Sequence, residues 1–255
     1  MDQWILLAPA LLVGLAVLLS HVPLGREVLS RGIIFVDLAV AQIAAFGLVL
    51  VAVLGVDMHG LLAQAVAFGS ALVGALFIAW LERFSAKEQE AMIGLVYVTA
   101  ATGCSMLLAN HAHGGEHMQE MLMGQILWVT WSDVWGIGLI GIGVFVLNGL
   151  RPQWLRGRFF YPLFALAITC AVQLVGVYLV FVSLIVPALA TQRIKGRAAA
   201  LVGVGLGALG YALALVASLV WDVPSGPAVV WAMVAVAIGF GSIVSRLLGK
   251  PRIEG

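Results

Sequence analysis

The chain has 255 residues, of which 63% are hydrophobic and 10% charged, and its mean hydropathy is +1.11. A soluble domain carries about a quarter charged residues, and no polar segment here is long enough to fold as a separate soluble unit, so residues 1–255 read as one membrane-embedded domain. The net charge of +1 is uninformative, but the basic clusters are short and each flanks an apolar stretch, which leaves no footprint for a nucleic-acid partner.

A bilayer core of about 30 Å needs about 20 helical residues. Apolar stretches of that kind lie at roughly 4–20, 33–56, 61–81, 91–109, 132–150, 198–221 and 228–245. Met1-Asp2-Gln3 lacks the basic region of a cleavable signal peptide, so the first stretch is expected to remain as a helix, with His21 at its inner end. All 13 Lys and Arg fall in five clusters: Arg26/Arg31, Arg83/Lys87, Arg151/Arg156/Arg158, Arg193/Lys195/Arg197 and Arg246/Lys250/Arg252. The loops at 57–60 and 110–131 and the turn at Asp222 carry none. The positive-inside rule then places the clusters in the cytoplasm, the N-terminus outside and the C-terminus inside.

One stretch breaks the alternation. Residues 159–191 are predominantly apolar with basic clusters at both ends. A single helix of that length would reach about 50 Å and put one cluster outside. Two crossings, or one helix plus a short re-entrant one, keep both inside. The break is expected near Gln173-Leu174-Val175-Gly176, with Pro187 stopping or kinking the second limb. The predicted fold is all-α: a polytopic bundle of about eight to nine membrane segments, one of them short or re-entrant. Glycine-rich stretches at 136–143 and 203–210 read as close helix packing, because neither G-x-G-x-x-G follows a strand. Cys104 and Cys170 read as small core residues rather than a redox pair.

Titratable groups concentrate in one outer loop, where His111, His113, Glu116, His117 and Glu120 fall within 110–120. Imidazole and carboxylate together suit capture of a divalent transition metal ion, zinc best among the common candidates, while incidental histidines on a solvated loop are the plain alternative. His59 lies on another outer loop. The same stretch spells H-x-x-E-H, the pattern of an inverted zinc metallopeptidase, yet Gly114-Gly115 is a poor helix centre and no catalytic domain surrounds it. No phosphate-binding G-x-x-x-x-G-K-[ST] occurs, so ATP hydrolysis is expected on another chain.

The segment GVYLVFVSLIVPALATQR at 176–193 resembles the run that ends a membrane segment in ABC-importer permeases for zinc, manganese and iron. MGQIL at 123–127 with WSD at 131–133, DVPSGP at 222–227, and RGIIFVDLAVAQIAAFG at 31–47 are similar to three further motifs of that family, in the same order. The resemblance implies a permease subunit in the bacterial cytoplasmic membrane, in contact with membrane lipid and paired with a second copy of itself. It further implies a cytoplasmic ATP-binding subunit and an extracytoplasmic metal-binding protein, with no permanent cofactor and a divalent metal ion as cargo. Pro187, Ala188, Thr191, Gln192, Arg193, Lys195 and Arg197 would form the coupling element. The family's Asp and His on the second span fall at Leu38 and Gln42, neither a strong ligand, with Asp37 one residue away. Asp37 and Gln42 are therefore the pathway-lining candidates. A secondary transporter acting without an ATPase is the competing function, disfavoured by the few ionisable groups in the spans.

Overall fold

The computed structural model describes residues 3–55, 61–109, 122–124, 126–157, 159–194, 196 and 198–248. Among these residues the chain is helical, with no strand. The helices are α1 (Gln3–Arg31), α2 (Val36–Val53), α3 (Leu61–Leu81), α4 (Ala86–Leu108), α5 (Trp131–Leu150), α6 (Pro152–Arg156), α7 (Phe160–Ala190), α8 (Ala198–Trp221) and α9 (Ser225–Leu248). A short 3-10 turn, Ile126–Trp128, precedes α5. Eight of the helices are long and apolar enough to cross a bilayer; α6 is the exception.

Two boundaries depart from those expected. The α1 helix continues past His21 and Pro23 to Arg31, about 43 Å in all. Pro23 lacks the amide that would bond the Leu19 carbonyl, but membrane helices tolerate such gaps where neighbours enclose them, and Leu18, Val22 and Leu24 are fully buried. His21 therefore lies within the helix, without exposure, rather than at its inner end. The α4 helix begins at Ala86, before the apolar run, because the chain signals a start there. Ser85 Oγ accepts the Glu88 amide at 3.4 Å, and the Glu88 carboxylate accepts the Ser85 amide at 3.1 Å.

The bundle is organised around α7. One group of helices, α5, α8 and part of α7, packs on α1, with α9 against α8 and α7; a second group, α3, α4 and α7, packs on α2. Consecutive helices α1 and α2 scarcely touch, so α7 is what both share. Large apolar side chains on α4, α5 and α9, among them Leu95, Leu139 and Ile238, point away from the bundle as a lipid-facing surface does. Exposed Trp128, Trp131, Trp135 and Trp221 gather toward one end, and Trp80 and Trp154 toward the other, matching two interfacial aromatic belts.

Within α7 the backbone leaves helical geometry at Gly176, with φ 80° and ψ 164°. Both ends of α7 then lie at the same end of α1. At its start, the guanidinium of Arg31 stacks 4.4 Å from the centroid of the Phe160 ring. At its finish, Arg26 donates to the Thr191 carbonyl at 3.0 Å. Since Arg26 and Arg31 share the last two turns of α1, the chain must double back between 160 and 190. Its two limbs, 160–175 and 177–190, each span about 21–24 Å. Both are largely buried, as segments shorter than the hydrocarbon core must be. The turning point is wedged against the opposite side of the bundle: Gly176 meets the backbone of Met123 and Gly124, and Gly124 itself has φ 68°. A side chain at either glycine would run into the other's main chain.

Candidate functional site

The second limb of α7 ends in a buried neck. Pro187, Ala188 and Thr191 have little or no exposure, whereas Gln192 and Arg193 are exposed on the turn that follows. Pro187 does not stop this helix, because its carbonyl still receives the Thr191 amide at 3.1 Å and the Thr191 hydroxyl at 2.8 Å. A cap from another helix completes the end. Arg26 Nη1 donates to the Thr191 carbonyl at 3.0 Å and to its hydroxyl at 3.3 Å, and Nη2 reaches the Ile194 carbonyl at 3.4 Å. The Thr191 carbonyl also accepts the Ile194 amide at 2.9 Å, and a cation beside helix-end carbonyls is favourable through both hydrogen bonding and the helix dipole. Lys195 and Arg197, expected in the same element, lie outside the described residues.

Five residues further along α1, Arg31 joins other parts of the same end. Its Nε donates to Glu27 at 3.0 Å, Nη1 pairs with Glu82 at the end of α3, and Nη2 donates to the Arg156 carbonyl at 2.8 Å. Tyr161 donates its hydroxyl proton to the same Glu82 carboxylate at 2.9 Å. Positions five apart on a helix point about 140° from one another, so Arg26 and Arg31 serve different neighbours. The clustering of Lys and Arg marks both only as positive-inside anchors. The signal for more lay in continuing the helix past Pro23, which turns Arg26 inward.

The pathway candidates are both buried on α2. Asp37 is 1% exposed, and neither carboxylate oxygen has a hydrogen-bond partner among the described residues; Gln42 is 3% exposed, and its Oε1 is likewise unpartnered. The two do not share a stripe, being five residues apart, but α2 is enclosed by α3, α4 and α7, so both project into protein. Glu90 of α4 was not singled out by sequence reasoning. It accepts the Phe35 amide at 3.1 Å just before α2, while its other carboxylate oxygen is buried without a partner among the described residues. An open cavity of about 530 Å³ lies there, lined by Gly32, Phe35, Lys87, Glu90, Ala91 and Gly94. Buried polar atoms are normally satisfied, so the unpartnered oxygens of Asp37, Gln42 and Glu90 mark the α2 side, although His21 Nε2 and Thr169 Oγ1 are also buried without a partner among the described residues.

Other polar residues of the matched motifs and the remaining ligand candidates fall out differently. Asp133 is a helix cap: its carboxylate accepts the Thr130 amide and hydroxyl, both at 2.7 Å. Asp222 sits at the end of α8 with φ 50°, beside a second cavity of about 540 Å³ that also includes Met123, Gly124 and Gly226. Cys104 and Cys170 are both free. His59, His111, His113, Glu116, His117 and Glu120 lie outside the described residues. Among the described residues no group of three or more His, Cys, Asp or Glu comes together as a metal cage.

The family model described as the ABC 3 transport family matches residues 3–148 and 145–244. Among solved structures, the chain is similar to PsaBC from Streptococcus pneumoniae in complex with Fab, with a TM-score of 0.71, 18% identity and 94% of each chain covered. It is also similar to an inward-facing metal-chelate type ABC transporter, with a TM-score of 0.57 and 16% identity, covering 94% of this chain and 85% of the other. At these identities the two structures share the fold. No curated protein sequence matches.

Proposed function

The chain belongs to the ABC 3 transport family, and from that premise we propose that it is the permease of an ATP-driven importer for a divalent transition metal ion, zinc first, manganese or iron next. Two copies form the pathway in a bacterial cytoplasmic membrane, with the basic end of each bundle in the cytoplasm. A separate ATP-binding subunit docks on the 187–197 element, and an extracytoplasmic binding protein delivers the metal at the opposite end. The observation that carries the reading is the reversal at Gly176, which returns residues 191–194 to the end of the bundle that holds Arg26 and Arg31. A motor acting at the exposed Gln192 and Arg193 would push on a limb buried against α1 and α8. ATP binding would thus rock one helix group against the other about their shared helix α7.

Metal would be gathered by His111, His113, Glu116, His117 and Glu120 and passed inward along α2. Support for Asp37 and Gln42 as lining residues is their burial with unpaired oxygens. An acidic side chain within a span costs about 2.5–3.5 kcal/mol on insertion scales, which is hard to account for without a use. Oxygen ligands alone suit manganese and iron as well as zinc, so the imidazoles of the outer loop are what favour zinc.

Vesicles containing this chain and a nucleotide-binding subunit should hydrolyse ATP faster when metal is supplied and should accumulate it. If the purified chain alone moves metal down a proton gradient, it is a secondary transporter and the importer reading is wrong. Replacing His111, His113 and His117 together by Ala should lower zinc uptake from dilute solution. Unchanged uptake would remove that loop from the mechanism while leaving the importer intact.

A further inference from the structure

Arg26 is a half-buried cation that pairs with no carboxylate among the described residues. Its described partners are the Thr191 carbonyl and hydroxyl and the Ile194 carbonyl, so it grips both the last turn of α7 and the loop beyond it. That helix end already takes bonds from its own following residues, the Gln192 amide to the Leu189 carbonyl at 3.3 Å and the Ile194 amide to the Thr191 carbonyl at 2.9 Å. Arg26 is a further donor, brought in from α1. The residue before it reinforces the joint: Gly25 lies so close to the Leu184 carbonyl that any side chain would collide with that backbone. Two consecutive residues of α1 therefore fasten it to the second limb of α7. One and a half turns further on, Arg31 fastens the same helix to Glu82 and to the Arg156 carbonyl.

We propose that Arg26 is the positioning residue that makes the 191–194 turn and α1 move as one body. Force applied to the turn at Gln192 and Arg193 is then delivered along α1 and, through Arg31, to the α3 end and α6. Without Arg26 the turn moves but α1 lags, and ATP is spent without transport. This proposal rests on the importer reading above.

The test uses the full chain with its nucleotide-binding subunit in vesicles and zinc ion as the probe. The readout is zinc accumulated per ATP hydrolysed, with co-purification of the ATPase as the assembly control. Arg26→Met should still bind the ATPase and hydrolyse ATP, yet its zinc-to-ATP ratio should fall about tenfold, the effect of losing a coupling energy of about 1.4 kcal/mol. Arg26→Lys keeps the charge but cannot fork across two carbonyls, so its ratio should be intermediate. A wild-type ratio in Arg26→Met overturns the proposal. So does a proportional loss of hydrolysis and uptake, which marks a merely structural role. If Arg26→Met does not fold, Arg26→Lys decides: a lowered ratio supports the proposal and a wild-type ratio overturns it. Wild-type vesicles whose hydrolysis responds to none of zinc, manganese and iron would defeat the importer reading and this proposal with it, whereas a coupled wild type beside an equally coupled Arg26→Met defeats this proposal alone.

Discussion

Gly176 and Gly124 meet main chain to main chain, and both occupy positive φ. The Gly176 pair of angles, 80° and 164°, falls in a region that is essentially closed to residues with a Cβ. Strain of that kind costs about 1–3 kcal/mol, and the collision with Met123 and Gly124 adds to it. Gly176→Ala is therefore expected to lower the unfolding temperature of the detergent-solubilised protein sharply and to abolish transport; a wild-type melt would mean the backbone does not turn there. Asp37 is the other decisive residue. Asp37→Asn keeps size and removes charge, so it should leave folding intact while lowering metal transport by roughly the 10- to 100-fold that losing a group supporting a metal ligand costs. Uptake indistinguishable from wild type would take Asp37 out of the pathway. At this scale the sequence was half legible. A lone acid in a span could be noticed, but its burial on a face shared with α3, α4 and α7 depends on packing that no local pattern encodes.

Helix limits follow from competing local signals. At α4, the Ser85 and Glu88 capping box overrides the charge of Lys87, Glu88 and Glu90 and starts the helix ahead of its apolar run. Ser85→Ala should cost about 1 kcal/mol, the usual value of an N-cap, measured as reduced stability to guanidinium in detergent; no change would mean the first turn is held by other contacts. At α1 the opposite error arises. Hydropathy falls at His21, Pro23 and Arg26, so the apolar stretch ends near residue 20, but enclosure by α5, α7 and α8 carries the helix on to Arg31. That continuation turns Arg26 from an anchor at a boundary into a side chain within reach of Thr191. The break in 159–191 was legible by contrast, since length, flanking charge and a glycine after a polar residue all pointed to one place.

For the whole molecule, the lengths of the apolar stretches sufficed for an all-α bundle of about eight membrane segments. They could not supply which helices touch. The arrangement of two helix groups sharing α7 is a property of the packed chain, and it is what would let a push at one end reorganise a path between the groups. The central claim is that 160–190 leaves and returns to one side. It is tested most directly by cysteine labelling in a background with Cys104 and Cys170 replaced by Ala. Single cysteines at exposed Gln153 and Gln192, and at Val223 on the opposite end, would be treated with a membrane-impermeant maleimide in right-side-out and inside-out vesicles. The account expects Gln153→Cys and Gln192→Cys to react only in inside-out vesicles and Val223→Cys only in right-side-out ones; labelling of Gln153→Cys and Gln192→Cys from opposite sides would contradict it.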